Sequence, residues 1–385
     1  MDTATTTMPD ARAQALVASY ERAGYMRATP AILQPAEPFL DLAGEDIRRR
    51  LYLTTGPSGR EHCLRPDLTI PVVREYLASP LAGRPANFCY LGPVFRQPRP
   101  GSAAEPRAGE LMQAGVESFG RTDTAAADAE MLFLGLAATA HYGVARPTIR
   151  MGDAALFSAL VSALDLAPAW KRRLVKDFNR KSNLAHDLDA LMLARADARP
   201  EYQGVLSALA GSDPKAAHAL VTDLLSIAGI TAVGGRTVGE IADRFLEQAA
   251  LQAGHALPRD IRALVERFLG IEGSPEAAAA ALRALADDAN LALAPVLDLF
   301  EARTQALAAR GIATADIRFA AAFGRGFDYY TGFMFELHHP ANPDDQLVAG
   351  GRYDGLLSRL GSAQPVPAVG FAVWIEPLAR MGAPA

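Results

Sequence analysis

The chain has 385 residues, half of them hydrophobic, and a net charge of −5, which suits one large domain carrying an insert, or two domains. No apolar run approaches the roughly 20 residues that cross a bilayer, and Met1 to Asp10 lacks a basic start followed by an apolar stretch, so neither a membrane protein nor a secreted precursor is expected. The acidic balance argues against a broad phosphate-backbone interface, and the two cysteines, Cys63 and Cys89, lack metal-type spacing and read as buried reduced thiols of a cytoplasmic protein without a metal centre.

In chain order, Ala11–Tyr20 reads as an amphipathic helix running toward Gly24, and Ala31–Leu40 as an extended, proline-punctuated segment. Arg50–Thr55 and His62–Arg65 are β-like, and the Gly56-Pro57-Ser58-Gly59 turn between them predicts a hairpin. Ile70–Leu77 follows as a helix. Asn87–Arg96 and Glu110–Phe119 are expected to be antiparallel strands joined by the loop Gln97–Gly109. Asp123–Tyr142 is a long alanine-rich helix opened by the capping-type run Thr122-Asp123-Thr124. After a strand near Thr148–Met151, residues 153–309 are almost wholly helical in spacing: an insert, then helices returning to the core. Strands resume at Ile317–Phe323, Thr331–His338, Gln346–Gly350 and Ala368–Trp374, with helices at Tyr353–Leu360 and after Trp374. Strands, a helical block and strands again predict an α+β protein, with residues 1–152 and 310–385 forming an antiparallel sheet flanked by helices.

Four segments carry chemistry. In Arg65-Pro66-Asp67-Leu68-Thr69 a strand gives way to a helix, so Asp67 and Thr69 fit either a helix cap or a carboxylate site for an ammonium group. Arg96 closes an apolar strand. Gln113 and Glu117 lie four apart on the next strand and therefore share a face, where they either pair with protein groups or line a polar pocket. In Phe323-Gly324-Arg325-Gly326-Phe327-Asp328-Tyr329-Tyr330, glycines flank an arginine and two tyrosines follow. That fits a structural turn, or a site where hydroxyls meet an imidazole and rings bound it. The pair Gly350-Gly351 before Arg352-Tyr353-Asp354 fits an anion cradle between strand and helix, or a tight turn. The Trp170-Lys171-Arg172-Arg173 cluster reads as a solvated helix end.

Taken together these segments resemble the class II aminoacyl-tRNA synthetase core in its histidine-specific branch. Tyr90–Arg96 with Gln113–Glu117 resembles motif 2, and Arg325–Tyr330 resembles the RGLDYY signature. Gly350–Asp354 resembles GGRYD, Pro367–Ala372 the start of motif 3, and Arg65–Thr69 the segment that in synthetases usually reads RPEGT. The resemblance implies that Asp67, Thr69, Gln113 and Glu117 hold the α-amino group of histidine and its surroundings. Tyr329 and Tyr330 would face the imidazole and Arg325 the carboxylate, while Arg96 and Arg107 would be remnants of an anion or phosphate site.

Three departures narrow the expectation. Pro377 stands where motif 3 carries an arginine that stabilises the triphosphate. The motif 2 loop has lost most of its basic and aromatic residues, and the sequence stops soon after Leu378, so no anticodon-binding domain and no tRNA partner are expected. A core with histidine positions but without ATP and tRNA positions resembles the regulatory subunits of ATP phosphoribosyltransferase. That resemblance implies a non-catalytic, cofactor-free protein, a homodimer within a hetero-octamer. It would partner the short-form catalytic subunit in the first step of histidine biosynthesis and transmit feedback inhibition by L-histidine. A minimal histidyl-tRNA synthetase or a histidine-activating ligase is the alternative.

Overall fold

A computed structural model describes residues 11–42, 47–98, 109–166, 168–178, 219–220, 222–224, 227, 232–233, 236–237, 259–324, 329–343 and 345–381. The chain divides into two compact units, one of Met1–Ala159 with Phe268–Ala385 and one of Leu160–Arg267.

The strands of the described residues are β1 (Met26–Arg27), β2 (Leu33–Pro35), β3 (Leu53–Thr55), β4 (Glu61–Leu64), β5 (Ala86–Phe95), β6 (Glu110–Phe119), β7 (Thr148–Asp153), β8 (Ala232–Val233), β9 (Arg236–Thr237), β10 (Glu272–Gly273), β11 (Ile317–Ala320), β12 (Phe333–His338), β13 (Gln346–Arg352) and β14 (Ala368–Trp374). In the first unit, nine of them form one sheet in the order β1-β5-β6-β14-β13-β12-β7-β11-β10. The sheet is antiparallel except at two places: β1 runs parallel to β5, and β11 parallel to β7. The all-antiparallel expectation is therefore corrected at both flanks. The chain reaches those positions by crossing over through helices rather than by hairpins.

Alternation decides what each face of the sheet carries. On β14, Val369, Phe371 and Val373 point one way and Gly370, Ala372 and Trp374 the other. The apolar set meets helices. Gly135, on the helix Thr124–His141, lies so close to Phe335 and Val348 that an added Cβ would sit 3.2 and 3.3 Å from them. Tyr20 of the helix Ala11–Arg22 packs edge-on to Phe371 at 6.1 Å. The opposite face is covered at one end by the helix Thr69–Ala78, whose Tyr76 stacks on Phe119 at 4.6 Å. Beyond that helix the small residues of β14 leave open space.

Several expectations hold with small changes of boundary. The hairpin forms as β3 against β4, with Leu53 opposite Cys63, and β2 completes a three-stranded sheet. The segment Ala31–Leu40 is not extended throughout: Glu37–Leu42 is a helix. Asp123 makes no capping hydrogen bond to the helix it precedes, because its carboxylate is held by Arg121 at 2.5 and 2.9 Å. Ser274 does cap the helix Pro275–Asp288, its hydroxyl accepting from the Ala277 N–H at 3.3 Å. Ser274→Ala should lower stability by about 1 kcal/mol, read as a lower urea midpoint at unchanged slope.

A buried ion network ties the helices to the sheet. Arg303, on the helix Ala294–Ala309, donates to Asp128 at 2.8 Å and to Asp153 at 2.7 Å. Arg352 donates to Asp128 from the sheet side at 2.6 and 2.9 Å. Arg303 and Asp128 are 1 % and 0 % exposed, so water does not screen this network.

In the second unit, Pro168–Asp177 is a helix with Trp170 buried, and β8 pairs antiparallel with β9. The expected charged helix end is thus partly a packed one.

Candidate functional site

The open space on the small-residue face is a small pocket. It is lined by Asp67, Thr69, Arg96, Gln113, Tyr329, Tyr330, Ala349, Tyr353, Gly370, Phe371, Ala372 and Trp374. Six of the nine expected site residues therefore share one cavity, and Glu117 lies directly beneath its floor. Arg325 and Arg107 fall outside the described residues.

The floor follows from the register. Glu117 on β6 sits opposite Gly370 on β14, which sits opposite Gly351 on β13. A Cβ at position 370 would lie 1.8 Å from the Glu117 Oε2 and 2.5 Å from the Val116 carbonyl, so only glycine leaves the carboxylate room. Gly350 and Gly351 serve the same close packing inside β13, where added Cβ atoms would meet the Gly370 and Phe333 carbonyls at 2.4 Å. They lie in the strand, not between strand and helix, and their role is close strand packing rather than anion cradling.

Glu117 is fully buried and surrounded by hydroxyls. Thr69 donates to Oε1 at 2.8 Å, Tyr90 donates to the same oxygen at 3.2 Å, and Tyr353 donates to Oε2. Burial pushes its carboxyl up to about 8, against the pull of those three hydroxyls and with a further push from nearby Asp67. Asp67 combines both readings its sequence left open. Its Oδ1 accepts from the Ile70 N–H at 3.3 Å, as a helix cap would, while its Oδ2 is buried with no partner. Burial pushes Asp67 up to about 6, opposed by the Arg96 guanidinium and by two backbone N–H groups. Gln113 likewise divides: its side-chain carbonyl accepts from the Leu68 N–H at 3.0 Å, and the residue still lines the cavity.

Arg96 and Trp374 line the pocket together. Arg96 donates to the Pro66 carbonyl at 2.7 Å and lies 4.8 Å over the Trp374 ring, while the Trp374 indole donates to Gln346 at 3.3 Å. Tyr329 packs against Tyr330 at 4.9 Å and edge-on to Tyr353 at 5.8 Å, which gives the cavity an aromatic wall. An orphaned carboxylate oxygen, a guanidinium and an aromatic wall match a small zwitterion bearing a flat ring.

Tyr90, Tyr353 and Trp374 were not singled out by sequence. Tyr90 lies opposite Gly115 in the β5–β6 register, so alternation puts it on the same face as Glu117; the register was the missing information. Among the described residues no group of His, Cys, Asp and Glu could hold a metal ion, and no helix is long and apolar enough to cross a membrane.

The family model for histidyl-tRNA synthetase matches residues 7–234 and 216–378. The ATP phosphoribosyltransferase regulatory subunit of Brucella canis is 41% identical over 354 residues, covering 90% of each chain. The chain belongs to the ATP phosphoribosyltransferase regulatory subunit family. Solved structures agree on the fold. A Bacillus halodurans protein described as an ATP phosphoribosyltransferase regulatory subunit/histidyl-tRNA synthetase superposes with a TM-score of 0.65 at 20% identity, covering 99% of this chain and 82% of that one. A Nostoc histidyl-tRNA synthetase gives 0.61 at 13%, covering 98% and 75%. The architecture is thus the class II aminoacyl-tRNA synthetase-like fold. Pro377 lies in the helix Ile375–Met381, whose Glu376 accepts from the Met112 N–H at 2.6 Å. The start of that helix is tied to β6 through a carboxylate.

Proposed function

We propose that this chain is the non-catalytic regulatory subunit of an ATP phosphoribosyltransferase, required by the short-form catalytic subunit in the first step of histidine biosynthesis and carrying feedback inhibition by L-histidine. The 41% identity across 90% of a relative of that name carries the reading. The pocket supports it. Asp67, with an unpartnered buried oxygen, takes the α-ammonium, helped by the polar ring of Thr69, Gln113 and Glu117. Tyr329 and Tyr330 bound the imidazole. Arg325 takes the carboxylate, and Arg96 and Arg107 are what remains of an anion site. The protein works in the cytoplasm, without tRNA, as a dimer within a larger assembly with the catalytic subunit.

Regulation through such a pocket is linkage: histidine must bind one state of the assembly better than another, with couplings on the order of 1–3 kcal/mol. The deciding experiment adds the purified chain to a short-form catalytic subunit and follows phosphoribosyl transfer. Activity that requires the chain and falls with L-histidine supports the proposal. Robust histidine-dependent ATP–pyrophosphate exchange by the chain alone would instead make it a synthetase or a histidine-activating ligase.

The ammonium assignment has a pH signature. Asp67 must be ionised to hold the ligand, and its carboxyl titrates at about 6, so affinity is lost as pH falls through 6. The imidazole of free histidine also titrates near 6.5, but it does so with every variant. Asp67→Asn should weaken binding by about tenfold or more at pH 7.5 and flatten the acid arm. Calorimetric profiles of the two proteins that run parallel between pH 5 and 7.5 would remove Asp67 from the ammonium site.

A further inference from the structure

We propose that Arg352 is the positioning residue for the pocket's aromatic wall, setting Tyr353 through its side-chain anchorage and the Tyr329–Tyr330 pair through its carbonyl. The inference rests on the reading of this pocket as a histidine site.

Arg352 ends β13, and alternation sends its side chain to the helix face and that of Tyr353 to the pocket face. On the helix face the guanidinium is held from two directions. Nε and Nη2 donate to Asp128 at 2.9 and 2.6 Å, and Nη1 donates to Asp354 at 2.9 Å. Asp128 cannot slide, because Arg303 holds its other oxygen at 2.8 Å and is itself tied to Asp153. The planar fork of arginine meets both carboxylates at once; a lysine ammonium is a point charge and cannot.

The backbone of the same residue reaches the other tyrosines. The Arg352 carbonyl accepts from the Thr331 N–H at 2.9 Å, and the Thr331 hydroxyl accepts from the Asp354 N–H at 3.0 Å. Thr331 directly follows Tyr330, so this clamp fixes the end of the segment that carries both rings. Asp354 closes the arrangement by accepting from the Ala368 N–H at 2.7 Å, which joins it to the start of β14. Tyr353 is then presented with its hydroxyl on Glu117 and its ring edge-on to Tyr329 at 5.8 Å. Arg352 touches no open part of the cavity; it would act entirely through these neighbours.

The test measures L-histidine affinity of the full chain by calorimetry for wild type, Arg352→Lys, Thr331→Val, Tyr353→Phe and the double variant Arg352→Lys/Tyr353→Phe, with urea midpoints taken in parallel. Arg352→Lys should bind tenfold more weakly or worse, and Thr331→Val about threefold more weakly. The double variant should be within about twofold of its weaker parent, because both changes remove the same positioned hydroxyl. A lower urea midpoint with unchanged affinity would make Arg352 structural only, and fully multiplicative effects would sever it from Tyr353; either result overturns the proposal. Should Arg352→Lys fail to fold, Thr331→Val decides, since Thr331 is exposed and valine is nearly isosteric: unchanged affinity overturns it. If wild type itself does not bind L-histidine, the reading of the pocket falls and the proposal with it. If wild type binds and the variants match it, the positioning role alone falls.

Discussion

Arg303→Met should destabilise the core unit by about 3–5 kcal/mol, more than other single changes away from the pocket. Arg303 is 1 % exposed and holds two carboxylates, Asp128 and Asp153, while its guanidinium lies 5.0 Å over the Phe333 ring. Methionine fills much of the volume but leaves Asp153 facing no cation in a dry interior. Burial already raises the Asp153 carboxyl above its ordinary value, with Arg303 pulling it down; removing Arg303 raises it further. A carboxyl whose folded pKa exceeds its unfolded one contributes stability that is fully present below the unfolded value and drains as pH rises through the folded one. The deficit of the variant should therefore grow from pH 5 to pH 7.5. Urea unfolding in a Trp170→Phe background, where Trp374 is the sole remaining tryptophan and reports the core, measures it. A loss below 1 kcal/mol, or one that shrinks as pH rises, contradicts the account. Adding Asp153→Leu should restore part of the loss, since an apolar pair costs less than a lone charge.

Gly370→Ala should cost about 3 kcal/mol and reduce L-histidine affinity a hundredfold or more. The methyl would meet the Glu117 carboxylate at 1.8 Å and the Val116 carbonyl at 2.5 Å. β14 cannot retreat, because it is paired with β13 on one side and β6 on the other. The carboxylate must then leave Thr69, Tyr90 and Tyr353, losing three hydroxyl donors at a fully buried position. Gly370→Ala combined with Glu117→Ala should recover only part of the stability and none of the binding, because the carboxylate clash and the acid are gone while the methyl still meets the Val116 carbonyl at 2.5 Å. Calorimetry and urea unfolding on the three proteins separate the two effects. Equal affinity in Gly370→Ala and wild type would mean that Glu117 plays no part in the site.

Much of this was legible in the sequence where the signal is local. The i, i+4 pair Gln113 and Glu117 on an apolar strand, and the acid–hydroxyl pair Asp67 and Thr69 before a helix, stood out as polar groups that either pair with protein or line a cavity, and in the fold they do both. Asp67 shows why its two readings could not be separated beforehand: one carboxylate oxygen caps the helix and the other is left over. What stayed hidden depends on pairing between distant segments. Arg303 meets residues 175 and 150 positions away, and Arg352 meets Asp128 across 224. No periodicity in a helix reports that its arginine will enter the core. The glycines of β13, open in the sequence between an anion cradle and a tight turn, prove to be neither, for a related reason. A glycine pair signals a bend or a close approach equally well, and only the neighbouring strands, with Gly370 and Phe333 carbonyls against it, decide between them.

The position of β14 has a consequence for how the molecule is made. Phe119 on β6 pairs with Ala368, so one long edge of the first half-sheet has no partner until that last strand emerges from the ribosome. About 250 further residues must be translated in between, which at ordinary synthesis rates takes on the order of 10–50 s. During that interval the nascent chain displays an unsatisfied row of N–H and C=O groups beside a half-built core, a template for mispairing with other nascent chains. Yield in a cell should therefore respond to translation pace and to trigger-factor-like holdases more than to the thermodynamic stability of the finished fold.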